Sequence, residues 1–272
     1  MNSMFAHSSK SHSKPNSGFT LIELLVVISI IGILAGMLLP AITRATRQAK
    51  IAQARTEMKN IAGAITTYYS TYSRFPIAAE TKEILSDQVP DFTYGTRTSL
   101  GGWWVNQKKQ PAGVVKVLHP NVKDNDQKNN AEIIAILRDV ERYRNGKATP
   151  NLGHGLNPQK VAFLDAKDVE NSSRGGVGLD GAYCDPWGNP YIITIDYNFD
   201  NLCRDGFYSQ PAVSADPKNP TAGLNGHSKI EGQNLYQYRS QVMVWSLGPD
   251  GFANSAVSAN AGVNRDNILS WK

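Results

Sequence analysis

The sequence predicts an α+β protein in which one long N-terminal helix, apolar enough in its first part to lie in a membrane, carries a soluble C-terminal head. Three observations lead there. A single apolar run, Phe19 to Leu39, has Glu23 as its only charge. A helical stripe of apolar residues continues that run as far as Tyr72. Beyond Pro76 the chain breaks into short strand candidates and one further helix, separated by frequent Gly, Pro and Asn.

Residues 1–18 are Ser-rich and basic and hold no apolar stretch, so they read as a leader and not as the hydrophobic core of a secretory signal. The 21 residues of Phe19 to Leu39 would form a helix of ~32 Å at ~1.5 Å per residue, long enough to cross a bilayer's hydrocarbon layer. Basic residues leave the orientation open, because Lys10 and Lys14 on one side compete with Arg44, Arg47 and Lys50 on the other. Pro40 removes one helical hydrogen bond and predicts a kink. The pattern nonetheless resumes: Ile51, Ala54, Met58, Ile61, Ile65, Tyr68 and Tyr72 recur at steps of three and four, with Arg44, Arg47, Lys50, Arg55 and Lys59 on the other faces. Such a helix leaves the membrane and lays one side on a domain, stopping at Phe75-Pro76.

In the remainder, Ala131 to Tyr143 is the clear second helix, closed by Asn145-Gly146. Strand candidates are Val114 to Leu118, Val161 to Leu164, Tyr191 to Asp196 and Gln241 to Trp245, and Gly248 to Asn264 reads as a loop. The expected divisions are therefore a leader (1–18), a transmembrane helix (19–39), its amphipathic extension (40–75), a segment 76–180 with a helix near 131–145, and a β-rich end, 181–272.

Composition excludes several classes of function. With 272 residues, 41% hydrophobic and 19% charged, the chain is neither wholly disordered nor a many-spanning membrane protein. The net charge of +5 is too modest and too scattered for a nucleic-acid binder. No HExxH, GxSxG or CxxC pattern is present, so no catalytic residue is nominated. Gly176 to Gly181 matches GxGxxG, but Asp185-Pro186 follows where a helix should open, and the segment reads as a turn.

The junction Ser17-Gly18-Phe19-Thr20-Leu21-Ile22-Glu23, with its short Lys-bearing leader and the apolar run ending at Pro40, resembles the cleavage and methylation signature of type IV prepilins and type II secretion pseudopilins. That resemblance implies a membrane peptidase that cuts after Gly18 and methylates the new amino terminus at Phe19. It implies also that Glu23 pairs with the amino terminus of a neighbouring subunit in a filament. A carboxylate at the centre of a bilayer costs on the order of 2.5 to 3.5 kcal/mol, less near the helix end, which is a physical reason for Glu23 to find a partner.

Asp185-Pro186-Trp187-Gly188-Asn189-Pro190-Tyr191 and Ser246-Leu247-Gly248-Pro249-Asp250-Gly251 are similar to the DPWGxPY and SLGxDG segments of the major pseudopilin, and Asp266 to Trp271 is similar to its ending. By that likeness the loop after SLGPDG binds Ca²⁺, with Asp250 and Asp266 as matching ligands. Hard oxygen donors on a flexible loop suit Ca²⁺ chemically as well. The competing structural roles are a turn residue for Asp250 and a helix cap for Asp266. A second oxygen-rich stretch, Asp196-Tyr197-Asn198-Phe199-Asp200, has the first spacings of a calcium loop, but Asn201 stands where glycine belongs and Phe207 where the closing Glu belongs. The DPWGNPY segment itself reads as a tight turn entering the Tyr191 strand, with Trp187 filling core.

The resemblance implies a type IV pilin-like fold, the helix packed on a C-terminal antiparallel sheet, enlarged here by the insertion 76–180 that includes Trp103-Trp104. It implies a non-catalytic subunit of a type II secretion pseudopilus, single-pass in the inner membrane of a two-membrane bacterium before assembly, with its head in the periplasm. The implied partners are further copies of itself, minor pseudopilins, prepilin peptidase and the inner-membrane secretion platform. A type IV pilin of a surface fibre is the alternative within the class, and a solitary membrane-tethered binding protein the alternative outside it. With the head outside the cytoplasm, Cys184 and Cys203 either form a disulfide, worth ~3 kcal/mol for a loop of about twenty residues, or are buried as two thiols.

Overall fold

The computed structural model describes residues 19–96, 122–170 and 175–272. Gly18, Trp103-Trp104 and the strand candidate Val114 to Leu118 lie outside the described residues. The chain forms two compact units that divide between Gln48 and Ala49.

The first unit is the opening of helix α1 (Leu21–Tyr72). Its leucines, isoleucines and valines from Leu21 to Ile42 are all exposed, which for a soluble chain would be an aggregation hazard. Within the described residues α1 alone is long and apolar enough to cross a membrane. Helical structure continues through Pro40, whose missing N–H leaves the Gly36 carbonyl without its usual partner.

The second unit contains the rest of α1 and the head. Ala54, Met58, Ile61, Ala64, Ile65 and Tyr68 are buried along one face of α1, the stripe expected from sequence, with Ile51 and Tyr72 partly covered at its ends. They pack on one face of a four-stranded antiparallel sheet ordered β1 (Phe92–Tyr94), β4 (Ile192–Ile195), β9 (Val242–Ser246) and β10 (Ile268–Leu269). Register pairs Phe92 with Ile195, Ile193 with Val244 and Leu269 with Trp245. Ile193, Ile195, Val242 and Val244 face the main core, while Ile192 and Trp245 join Phe207, Tyr208 and Val213 in a second core on the opposite face. Because both faces are covered, β4 and β9 are buried at every position, which is why they read in sequence as apolar runs and not as alternations.

Two smaller sheets complete the head: the hairpin β2 (Gly176–Val177) with β3 (Tyr183–Cys184), and the antiparallel set β5 (Ala215–Asp216), β6 (Asn219–Gly223), β7 (Ser228–Lys229) and β8 (Tyr236–Gln237). The GxGxxG stretch is the turn of that hairpin, closed by the Gly181 amide donating to the Gly178 carbonyl.

Several expectations are corrected. Helix α3 spans Ala131–Leu137, shorter than the predicted Ala131 to Tyr143. It stops because Asp139 takes a left-handed conformation (φ 56°), and all seven helical residues, Glu132 included, are buried. Helix α1 likewise ends before Phe75-Pro76, at Ser73 (φ 51°). Val161 to Leu164 forms no ladder; the Phe163 and Leu164 amides both donate to the carbonyl of Leu137, the last residue of α3. Segment 76–180 also contributes an edge strand, β1, and much of the main core, so it is built into the head.

Cys184 and Cys203 are both buried, and no disulfide joins them. Cys184 bridges Pro190 at the entry to β4, whereas the Cys203 thiol donates to the Thr194 carbonyl. Those two attachment points, Pro190 and Thr194, lie four residues of extended chain apart, ~13 Å at ~3.3 Å per residue, so the two thiols are anchored at different places along the chain that enters and forms β4.

Candidate functional site

The N-terminal candidate residues sit on the first turn of α1. Thr20 precedes the helix, and its carbonyl accepts the first helical bond, from the Leu24 amide at 3.2 Å. The Thr20 amide and hydroxyl each donate to Glu23 Oε2 at 2.8 Å, and the Glu23 amide donates back to Thr20 Oγ1 at 3.3 Å. This is a capping box, two orphan amides of the helix end satisfied reciprocally. The signal was legible as Thr-x-x-Glu before an apolar run, and sequence reasoning overlooked Thr20. Phe19 stands beside it 85% exposed, so the residue expected to become the amino terminus is open to solvent.

The second candidate region is where the two head motifs meet. Gly188 (φ 90°) closes the predicted DPWG turn, its amide donating to the Asp185 carbonyl at 2.8 Å. Asp185 Oδ1 accepts the Trp187 and Asn189 amides, both at 2.9 Å, while Oδ2 accepts the Asn189 side chain at 3.1 Å and the Ser246 hydroxyl. Asn189 Nδ2 donates to the Gly248 carbonyl, and the Gly248 amide donates to Ser246 Oγ, both at 2.9 Å. The DPWGNPY and SLGPDG segments, far apart in sequence, are thus clasped by one buried polar network. Burial pushes the Asp185 carboxyl up to about 6 against those stabilising bonds. Trp187 packs on the main core, as predicted, and Lys50 Nζ lies 5.9 Å from its ring centroid.

From this clasp the chain runs into the C-terminal loop. Asp250 and Asp266 are brought together: the Asp250 amide donates to Asp266 Oδ2 at 3.3 Å, and Asp250 Oδ1 accepts the Phe252 amide at 2.8 Å. Gly248 (φ 70°) permits this closure, because a Cβ there would collide with the Asp266 carbonyl oxygen. Buried Asn264 staples the loop, exchanging bonds with the Asn254 amide and carbonyl at 2.8 Å each and donating to the Val257 carbonyl at 2.7 Å. Nothing in the sequence singled out Asn264, since an asparagine in a Gly/Ala/Asn-rich stretch looks like any loop residue. Among the described residues no three His, Cys, Asp or Glu side chains gather as a metal-binding group. A cation at Asp250 and Asp266 would therefore rely on two carboxylates plus backbone carbonyls.

A membrane-anchoring helix with a capped carboxylate in its first turn, carrying an antiparallel head, describes a membrane-tethered subunit of type IV pilin-like fold. Comparison with known proteins agrees with that class. Residues 13–39 match the prokaryotic N-terminal methylation motif. The chain is 38% identical over 72 residues to type II secretion system core protein G of Pseudomonas aeruginosa, covering 26% of this chain and 51% of that one. It is 42% identical over 59 residues to type IV major pilin protein PilE1 of Neisseria gonorrhoeae (22% and 36%), and 38% identical over 60 residues to type IV major pilin protein PilA of Myxococcus xanthus (22% and 27%). The chain thus spans about half or less of the length of these relatives. No solved structure matches it. The relatives are named as pilus and secretion-system subunits, not as enzymes.

Proposed function

We propose that this chain is a pseudopilin: cut after Gly18, methylated at Phe19, and polymerised through α1 into a short periplasmic filament that drives protein export. The observation that carries the reading is the first turn of α1, where Glu23 is anchored by Thr20 beside an exposed Phe19 at the head of an otherwise uncharged apolar run. An amine freed at Phe19 of one subunit and Glu23 of the next can neutralise each other in a medium where an isolated charge is costly. Apolar helix packing supplies the rest of the association, with prepilin peptidase, minor pseudopilins and the secretion platform as partners. The clasped motifs and the match to core protein G support the secretion role. Glu23→Val should leave cleavage and methylation intact and stop filament assembly and export. Normal filaments from that variant would overturn the role given to Glu23.

The pilin relatives favour a second reading, a type IV pilin of a surface fibre. Electron micrographs of cells at native expression separate the two: surface fibres lost on deletion of the gene would replace the secretion reading.

Calcium in the C-terminal loop belongs to the same proposal. Asp250 and Asp266 would hold the ion, their oxygens being hard donors on adjoining stretches of loop, and the bound charge would fix that loop on the clasp. Addition of Ca²⁺ should raise the melting temperature and chelation lower it, and Asp250→Asn should shrink that difference. An Asp250→Asn protein with the wild-type difference removes these two residues from the site.

A further inference from the structure

Besides the C-terminal loop, one region of the head brings negative charge together without resolving it. Antiparallel register pairs Phe92 with Ile195 and Thr93 with Thr194, so the next pair along the ladder is Asp91 opposite Asp196. Side chains alternate across a sheet, which places Asp91, Thr93, Thr194 and Asp196 on one face. Thr93 and Thr194 confirm the alignment with a 2.9 Å bond between their hydroxyls. Segment 203–206 covers this face: the Arg204 amide donates to Asp91 Oδ2 at 2.7 Å and the Gly206 amide to Thr93 Oγ1 at 2.9 Å. Asp91 and Asp196 are both fully buried. Like charges directly opposite on a ladder repel, and burial enlarges the penalty.

The nearest compensations are incomplete. Asp91 Oδ1 is buried with no hydrogen-bond partner, and so is Arg204 Nε, so the guanidinium does not close on the open oxygen. Asp196 accepts the amides of Asp200 (3.3 Å) and Asn201 (2.8 Å). Burial, together with Asp196 and Asp200, pushes the Asp91 carboxyl up to about 7, and burial raises Asp196 as well.

We propose that Asp91 and Asp196 hold a Ca²⁺ ion together with oxygens of the loop that follows Asp196. The loop has oxygen-bearing side chains at its first, third and fifth positions, Asp196, Asn198 and Asp200, the opening spacing of a calcium loop. Two departures counted against it in sequence, and the structure answers each. Asn201, in the place of the customary glycine, adopts φ 60°, the left-handed conformation that glycine supplies and asparagine tolerates. Phe207, in the place of the closing acid, is buried in the second core, and Asp91 brings the second carboxylate from β1 across the sheet. The region carries an excess of negative charge that a divalent ion would reduce: Asp91, Asp196, Asp200 and Asp205, the last buried on the covering segment and accepting the Thr194 hydroxyl at 2.6 Å, stand against Arg204. Mixed carboxylate, amide and backbone oxygens in an irregular loop suit Ca²⁺ better than the strict octahedron of Mg²⁺.

This site is separate from Asp250 and Asp266 and does not depend on the filament reading. The test is Ca²⁺ titration calorimetry on the full chain in detergent, in an Asp250→Asn/Asp266→Asn background that removes the C-terminal loop site. That background should bind one Ca²⁺. Adding Asp91→Asn should weaken binding roughly tenfold or more, since affinity follows the number of charged ligands. Asp200 is exposed, so Asp200→Asn keeps the fold and should weaken binding by a smaller factor. Absence of Ca²⁺ binding in the background protein overturns the proposal. Unchanged affinity in both the Asp91→Asn and Asp200→Asn proteins overturns it equally.

Discussion

Replacing Asp185 by alanine should dismantle the clasp between the two head motifs. The change strands the amides of Trp187 and Asn189 and the Ser246 hydroxyl; Asn189 and Ser246 are buried, so two donors lose their partner away from water. At about 1–3 kcal/mol for each buried unsatisfied donor, the loss is ~4 kcal/mol. For a unit of this size that lowers the melting temperature by ~8–16 °C. The assay is thermal unfolding of the full chain in detergent, followed by tryptophan fluorescence, since Trp245 is fully buried beside the clasp. Asp185→Asn is the control: it keeps an oxygen acceptor and removes the charge. The folded carboxyl is raised to about 6 from the usual 3.8, so the folded state holds the proton more tightly than the unfolded one. Asp185 therefore makes the wild type gain stability as pH falls from above ~6 towards ~4, by ~3 kcal/mol, and that gain fades again as pH rises through ~6. The Asn variant lacks this dependence, so relative to it the wild type should gain stability between pH 7.5 and 4.5. An Asp185→Ala cost under ~1 kcal/mol, or parallel wild-type and Asn profiles across that range, would refute the account of the clasp.

Thr20→Ala removes half of the capping box and should cost ~0.5–2 kcal/mol of helix-end stability, reducing assembly less than Glu23→Val does; equal defects would show that Glu23 acts only as a cap. Gly248→Ala sets a Cβ against the Asp266 carbonyl at a left-handed position, so the C-terminal loop should detach from the clasp and lose its response to Ca²⁺ in melting experiments. Intact mass should show both cysteines as thiols in the native protein, alkylated only after unfolding, because each is buried and Cys203 is held further from its thiolate by burial and nearby aspartates.

What sequence made legible was whatever has a short period or a local chemical cause. The α1 stripe, the DPWG turn, β4 and β9 follow from spacing and composition, because each is decided by residues within a few positions. The missed strands were β1, β10, the β2–β3 hairpin and the β5–β8 sheet, most of them two or three residues long. Runs such as Gly176–Val177 or Ile268–Leu269 are too short to show a period; they become strands only because a partner strand is already in place. Helix α3 misled in the opposite direction. Its apolar residues suggested an amphipathic face, but the helix is buried all round, and Asp139 ends it within two turns. The candidate sites show the same division: Glu23 and the two motifs stood out locally, whereas Thr93, Asp91 and Asn264 acquire roles only through residues far away in sequence.

Segment 76–180 reads from sequence as an insertion that enlarges the head. Its described residues argue otherwise. The buried Glu132 carboxylate accepts the Ala78 amide at 3.1 Å and the Thr81 hydroxyl at 3.0 Å, tying α3 to the short helix α2 (Ala79–Lys82) just after α1. Asn130 donates to the Tyr183 and Tyr191 carbonyls, at 2.8 and 2.9 Å, and accepts the Tyr183 amide at 2.9 Å, so the start of α3 fastens β3 to the entry of β4. Excision would expose the β4 edge now covered by β1, orphan these buried backbone groups, and remove Asp91 from the face it shares with Asp196. The segment is therefore part of the construction that sets Asp91 opposite Asp196, and changes confined to its exposed residues are those that can alter partner binding without unfolding the head.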